Sequence, residues 1–333
     1  MLAQRHPLTR LMVERESEIL GSVLETIGNT PIVELQHLTH NLDGRILVKL
    51  DFFNPGFSKK DRVALAMIEE AEQEGVLKPG QTVAELTSGN AGTGFAIVCA
   101  IKGYPFVAIM SKGNSPERAR MMRALGAEVV LVDQAPGSAA GQVSGTDLEL
   151  VEQEAQRIIR ERDAFRPNQF ALLSNFRAHM HGTGQEFVKQ AGNSIDAFCD
   201  IAGTGGTFAG CTAALKSHNP AIKCYLVEPD GAAVLAGKPV TSPNHRIQGA
   251  GYARCQLANM ETVEPDGYVQ VSDAVAIRMA RRLASEEAIF AGFSSGANVA
   301  AALELLDGPQ QGNTIATIIN DSGLKYLSTD LWS

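Results

Sequence analysis

The chain has 333 residues, long enough for a large core and two domains, and 44% of them are hydrophobic. Its 29 Lys and Arg against 37 Asp and Glu leave a net charge of −8, which argues against nucleic acid or an anionic membrane as a partner. The five cysteines, Cys99, Cys199, Cys211, Cys224 and Cys255, form no Cys-x-x-Cys pair and no metal-like spacing, so they are expected as buried free thiols of a reducing, cytoplasmic compartment, with no metal site.

Residues 1–20 are mixed in charge and hold no long apolar stretch, so neither a signal peptide nor a membrane span is expected there. Further along, short apolar runs alternate with longer helical patterns. Strands are expected at 46–50, 82–86, 106–110, 128–132, 198–202, 223–227 and 314–320. Helices are expected at 62–74, 92–102, 116–125, 147–160, 182–190, 207–217, 272–287 and 295–306. This alternation predicts an α/β fold with mainly parallel sheets, whose ligands bind at the carboxyl ends of the strands. Residues 135–146 are the most loop-like stretch, a domain junction or a lid, and 231–255 form a second irregular stretch.

Three segments carry chemistry. The first is Asn54-Pro55-Gly56-Phe57-Ser58-Lys59-Lys60-Asp61-Arg62, where an apolar strand gives way to a helix. A lysine held at the floor of a cleft loses its proton more readily and becomes a nucleophile able to form a Schiff base with an aldehyde. Lysines at helix starts are usually solvated, so weight comes from the other two segments, Thr87-Ser88-Gly89-Asn90-Ala91-Gly92 and Gly203-Thr204-Gly205-Gly206-Thr207. The last follows a strand and precedes a helix, where glycines let backbone N–H groups turn inward and the helix adds its positive end, a cup for a phosphate monoester. A dinucleotide fingerprint is not met, because position 208 is Phe where a third glycine is required. His179 and His181 lack a third ligand nearby in sequence and are read as structural.

In order and spacing these segments resemble the cysteine synthase (O-acetylserine sulfhydrylase) and cystathionine β-synthase branch of the fold-type-II pyridoxal-phosphate-dependent enzymes. The resemblance runs from Thr26-Ile27-Gly28-Asn29-Thr30-Pro31 to Asp321-Ser322-Gly323, with Asn54-Pro-x-x-Ser-x-Lys60-Asp-Arg62 and Gly292-Phe293-Ser294-Ser295-Gly296-Ala297 as its most specific signatures. It implies the tryptophan synthase β-like fold: two three-layer α/β domains with mainly parallel sheets and pyridoxal 5'-phosphate between them. The smaller, mobile domain would span 50–145 and carry the substrate loop. The larger would comprise 1–49 and 146–333 and carry the phosphate cup. A homodimer is also implied.

The resemblance makes Lys60 the Schiff-base lysine and leaves Lys59 a solvated neighbour. Gly203, Thr204, Gly205, Gly206 and Thr207 would hold the cofactor phosphate, and Asn90 its ring hydroxyl oxygen. Ser295 would face the pyridine nitrogen, with the adjacent Ser294 as the alternative. Thr87, Ser88, Gly89, Asn90 and Gln169 would surround the substrate carboxylate, and Gly249 would lie against the ring. The implied activity is β-replacement on an O-activated L-serine through an aminoacrylate intermediate, with ping-pong kinetics and sulfide as the default acceptor. The alternatives are a cystathionine β-synthase-like condensation, a β-elimination of the serine/threonine dehydratase type, and a non-catalytic regulatory homologue. Thr-Ser-Gly-Asn-Ala and Gly-Thr-Gly-Gly-Thr disfavour the dehydratase. Retention of Lys60, Asn90, Ser295 and the cup disfavours the silent homologue.

The sequence departs from the family pattern at Ala91, at Lys112 and Asn114, and in a shortened loop at 248–254; the loop at 135–146 is enlarged. Lys112, Asn114 and Arg254 predict a polar, basic mouth, suited to a nucleophile larger than hydrosulfide, an amino acid or an anionic thiol.

Overall fold

The computed structural model describes residues 19–138, 141, 143–242 and 245–333. The reading of residues 1–18, and parts of the two irregular stretches, lie outside them.

Two mainly parallel sheets organise the chain. The larger has six strands in the order β1 (Ile32–Glu34), β2 (Arg45–Leu50), β9 (Thr314–Ile319), β6 (Ala197–Ile201), β7 (Lys223–Pro229) and β8 (Gly267–Val271). Only β1 runs antiparallel to its neighbour. The central strands are buried on both faces, which is why they read as continuous apolar runs. One face packs under α8 (Asp273–Glu286) and α9 (Phe293–Leu306). The other packs under α6 (Gly184–Ala191) and α7 (Gly206–His218). β1 and β8 escaped the sequence reading because both are short edge strands with exposed positions.

The smaller sheet has β3 (Val83–Leu86), β4 (Phe106–Ser111) and β5 (Glu128–Val132). Helices α1 (Lys60–Gln73), α2 (Asn90–Lys102) and α3 (Pro116–Ala124) share one core beside it. Helix α4 (Gly145–Arg162) covers the other face, with Val151, Ala155 and Ile158 packed on Ala84, Val107 and Ile109. The expected boundary at 145 is therefore corrected: α4 belongs with the smaller sheet. Ala84 N donates to Phe165 O and Phe165 N to Thr82 O, extending that unit past α4. A capping box between Ser144 and Asp147 starts α4, satisfying orphan N–H groups at the end of the preceding loop.

The start of α1 is fixed by a buried ion network. Arg62 donates to Asp51 (2.9 Å) and to Glu186 (2.5 and 2.9 Å), and Lys49 pairs with Glu186 at 2.7 Å. Burial would raise the Glu186 carboxyl, but Arg62 and Lys49 outweigh it and hold it at about 2. Gly28 N donates to Asn54 Oδ1, and Thr30 Oγ1 to Asp51. The motif at 26–31 thus works as architecture, clamping the turn that presents Lys60. Four cysteines are buried as expected, but Cys255 is exposed.

Candidate active site

Lys60 opens the first turn of α1 at the carboxyl end of the large sheet. The preceding residue is pinned there, Lys59 N donating to Asn320 O just beyond β9 at 2.9 Å. Lys60 lines a cavity with Asn90, Gly203, Thr204, Gly205, Thr207, Gln248, Gly249, Ser294 and Asn320. Its Nζ lies 3.5 Å from Thr204 Oγ1. Burial, reinforced by the positive charge of Lys59 and opposed by Asp200, lowers the amine to about 7, where a neutral nucleophile is accessible. Lys59 is not solvated: it is 9% exposed and pairs with the fully buried Asp200 at 3.0 Å.

The glycine cup sits at the end of β6 and the start of α7, where the first helical turn leaves N–H groups without intrahelical partners. Gly205 has φ of +81°, a left-handed conformation that favours glycine. Gly206 lies behind the lining, and a Cβ there would meet Asn175 Oδ1 at 2.3 Å. Asn175 donates to Thr204 Oγ1 at 2.7 Å, while the His179 ring bonds Thr207 Oγ1 (3.1 Å) and Thr183 Oγ1 (2.9 Å). Burial and the nearby lysines push the His179 imidazole well below its ordinary value, so it is neutral. Asn175 is a site residue that the sequence did not disclose; an isolated Asn in a short helix carries no signal.

Facing the cup, the loop at 87–92 joins β3 to α2. Thr87 Oγ1 accepts from Gly89 N and Gly92 N, both at 2.9 Å, so its hydroxyl shapes the loop. Gly89 adopts φ of +128° against Arg118, whose Cδ would lie 2.3 Å from an added Cβ. Ser88, Asn90 and Gly249 line the cleft. Thr87, Gly89 and Gln169 stand behind it, and the main-chain carbonyl of Gln169 accepts from Asn175 and Asn259. Asn90 donates to Asp321 Oδ2 at 2.7 Å and accepts from Lys325 Nζ at 2.8 Å.

The serine assignment is corrected. Ser294 lines the cavity, whereas Ser295 is fully buried and its Oγ accepts from Asn320 N at 2.9 Å. Adjacent positions on a helix project about 100° apart, so only one of the two can face the cleft.

Beyond Gln248, Gly249 and Ala250 the cleft widens into a mouth of about 470 Å³. Lys112, Asn114, Ser115, His245, Arg246 and Tyr252 line it. Arg254, expected there, instead stacks over Phe170 at 4.4 Å and lines a separate small cavity. Arg246 takes its place at the mouth and pairs with Asp330. The buried Gln248 Oε1 and His245 Nδ1 have no partner among the described residues.

The family model of pyridoxal-phosphate-dependent enzymes matches residues 23–321. The chain belongs to this family. The enzyme is 40% identical to a cysteine synthase of Staphylococcus aureus over 315 residues, 94% of this chain and 97% of that one. It is 37% identical to an O-ureido-L-serine synthase of Streptomyces lavendulae over 315 residues, 94% of this chain and 93% of that one. A solved cysteine synthase of Entamoeba histolytica superposes with a TM-score of 0.88 at 34% identity, covering 96% of this chain and 93% of that one. The fold is therefore fold-type II, and the cofactor is pyridoxal phosphate. The residues present fit that group. Asn320 Nδ2 and Oδ1 are buried on the cavity wall without partners among the described residues, and so is Asn175 Oδ1 behind the cup. The cup is walled by backbone, with Gly249 O 2.6 Å from where a Cβ on Gly203 would stand. Among the described residues no helix is long and apolar enough to cross a membrane.

Proposed function

We propose that the enzyme catalyses β-replacement on an O-activated L-serine, with an acceptor larger than hydrosulfide. The observation that carries the reading is the position of Lys60, on one cavity between the glycine cup and the loop at 87–92. When bound, the cofactor supplies an aldehyde for the Lys60 amine and an electron sink for the amino acid.

Each residue then has a defined task. Gly203, Thr204, Gly205 and Thr207 hold the phosphate, and Gly206 lets Asn175 brace the cup from behind. Asn90 would bond the ring hydroxyl oxygen, and Ser294 would face the ring nitrogen. A neutral serine there holds the nitrogen without the charge a carboxylate would bring, which favours loss of a leaving group over a long-lived carbanion. Ser88 and the N-terminal end of α2 receive the carboxylate of the donor, the helix dipole favouring the anion. The Lys60 amine would take the proton from the donor α-carbon and return it to the product, a task suited to an amine near neutrality. Thr87 and Gly89 keep the loop in shape.

The mouth sets the acceptor. A space of about 470 Å³ exceeds what hydrosulfide needs, and Lys112, Asn114, Arg246 and Gln248 give it polar and basic walls. An amino acid or an anionic thiol fits such walls. The S. lavendulae relative is named for a product other than cysteine, which supports an acceptor beyond sulfide in this branch. The protein would work as a homodimer in the cytoplasm, where the free thiols stay reduced; light scattering of the purified chain tests the dimer.

The test is a visible spectrum of the purified enzyme with O-acetyl-L-serine and then O-phospho-L-serine. A donor that shifts the cofactor band supports the first half-reaction, and candidate acceptors are ranked by how fast they restore it. Indifference to both donors would sink the donor assignment. Restoration by sulfide alone would sink the larger acceptor.

A further inference from the structure

Beneath the cofactor cavity the chain breaks its hydrophobic pattern three times. Asp200 lies within the apolar strand β6, Asn298 within the apolar helix α9, and Lys59 doubles the lysine at the start of α1. Asp200 and Asn298 are wholly buried. The three side chains meet. Lys59 Nζ donates to both Asp200 oxygens, at 3.2 and 3.0 Å, and lines the cavity beside Lys60. Asn298 Nδ2 donates to Asp200 Oδ1 at 2.8 Å and to Ile318 O at 2.9 Å, and its Oδ1 accepts from Ile201 N at 2.8 Å. The carboxylate is thus tied to α9 and to two adjacent strands. A buried ion pair seldom surpasses well-packed apolar residues of the same volume in stability, so stability alone does not account for this cluster.

We propose that the Lys59–Asp200 pair, anchored by Asn298, is a positioning device for Lys60: it fixes a cation on the cavity wall beside the reactive amine and sets the pH at which that amine reacts. The inference rests on the assignment of this cavity to pyridoxal phosphate and of Lys60 as its partner. The charges around Lys60 come from four elements. At the N-cap of α1, Lys59 depresses the Lys60 amine after burial itself, and Asp200 on β6 opposes it. Also on α1, Asp61 accepts from Gly56 N, and Arg62 is engaged by Asp51 and Glu186. His179, in the π-helical turn at His179–Thr183, is neutral, and Lys325 in the C-terminal turn is engaged by Asn90. Asp321, just before that turn, accepts from Asn90 and Tyr326. Among the described residues, Lys59 and Asp200 act on Lys60 with opposite signs, and this gives a diagnostic.

The experiment takes the full-length chain freed of cofactor, adds pyridoxal phosphate without donor, and follows the growth of the visible band as a function of pH. Uptake requires the neutral amine, so its midpoint reports Lys60. Lys59→Met leaves Asp200 unopposed and raises the midpoint by on the order of one pH unit, a roughly tenfold slower uptake below it. Asp200→Asn leaves Lys59 unpaired and lowers the midpoint. Lys59→Arg keeps the wild-type value. Thermal melting accompanies each variant. Midpoints that stay put, or that move together in one direction, would overturn the proposal and leave the pair as scaffold. If a single variant does not fold, Lys59→Met/Asp200→Asn decides: the stronger of two opposing charges has gone, so a raised midpoint supports the proposal and an unmoved one overturns it. A wild-type chain that takes up no cofactor at any pH would overturn the assignment of the cavity itself, a result distinct from an unmoved midpoint.

Discussion

Two glycine-rich turns face each other across the cleft, at 87–92 and 203–207, and each carries a parallel strand into a helix. They differ in what braces them. The cup is supported from behind by Asn175 and His179, both in the helical stretch packed beside α7. The loop is shaped by its own Thr87 and by Arg118, whose Nη1 donates to Ser88 O at 2.6 Å. Its links to the larger unit include Asn90, which bonds Asp321 and Lys325 of the C-terminal turn, and Ser88, whose Oγ lies 3.3 Å from Tyr252 Oη. The same local motif therefore serves two ends. At 203–207 it is braced within one unit, and at 87–92 it is tied across two.

The largest expected effect removes what both turns serve. Lys60→Ala should lower β-replacement by on the order of 10⁴-fold and abolish the cofactor band, with little change in melting temperature. Persistence of the band would mean that Lys59 substitutes for Lys60, and the two-lysine arrangement would have to be reread.

Next comes the strand that feeds the loop. Burial pushes the Glu85 carboxyl up to about 7, against the opposing pull of Arg166 and the hydrogen bond from Asn168 N. The folded chain then keeps a proton that the unfolded chain loses at its ordinary value of 4.5, so this contribution to stability is lost as pH rises from 4.5 through about 7. Glu85→Gln should remove that decline and stabilise the protein above neutrality by roughly 3 kcal/mol. Denaturant melts at acid and at mildly alkaline pH measure it; equal effects at both would show that the carboxyl is not perturbed.

The comparison itself is tested by two glycines. Gly206→Ala crowds Asn175 and should cost about 1–3 kcal/mol, read as cofactor affinity reduced roughly 10- to 100-fold. Gly89→Ala strains a positive φ and crowds Arg118, so it should raise the KM for the donor and leave cofactor affinity within a few fold. Equal losses of cofactor affinity in the two variants would erase the distinction between the turns. The smallest effect separates the serines: Ser295→Ala should cost about 1 kcal/mol of stability with an unchanged spectrum, whereas Ser294→Ala should alter the cofactor spectrum.

Much of this was legible in the sequence because fold and cofactor rest on local patterns. The buried strands read as apolar runs, and Lys60, Asn90 and the cup occupy turns with recognisable chemistry. What failed depended on side-chain direction or on partners far along the chain. Ser294 and Ser295 are equivalent as letters and differ only in helical angle. Thr87 and Gln169 suit a carboxylate by type, yet one caps its own loop and the other stands behind the wall. Lys59 looked solvated because its counter-charge lies 141 positions away at Asp200. A carboxylate inside an apolar strand and an amide inside an apolar helix were visible violations of pattern, and such violations are where function is to be sought.

The helical stretch from α5 (Ser174–Ala178) to α6 is interrupted by the π-helical turn at His179–Thr183. That turn acts as a phase shift. It inserts extra residues into the helical repeat, so Asn175 and His179 are aimed at the cup while Glu186, one segment on, is aimed at Arg62 and Lys49. One rod thereby meshes with two gears, the phosphate site and the clamp that seats Lys60. Deleting a single residue from it would turn one end by about 100° against the other, and no choice of side chain could restore both engagements at once.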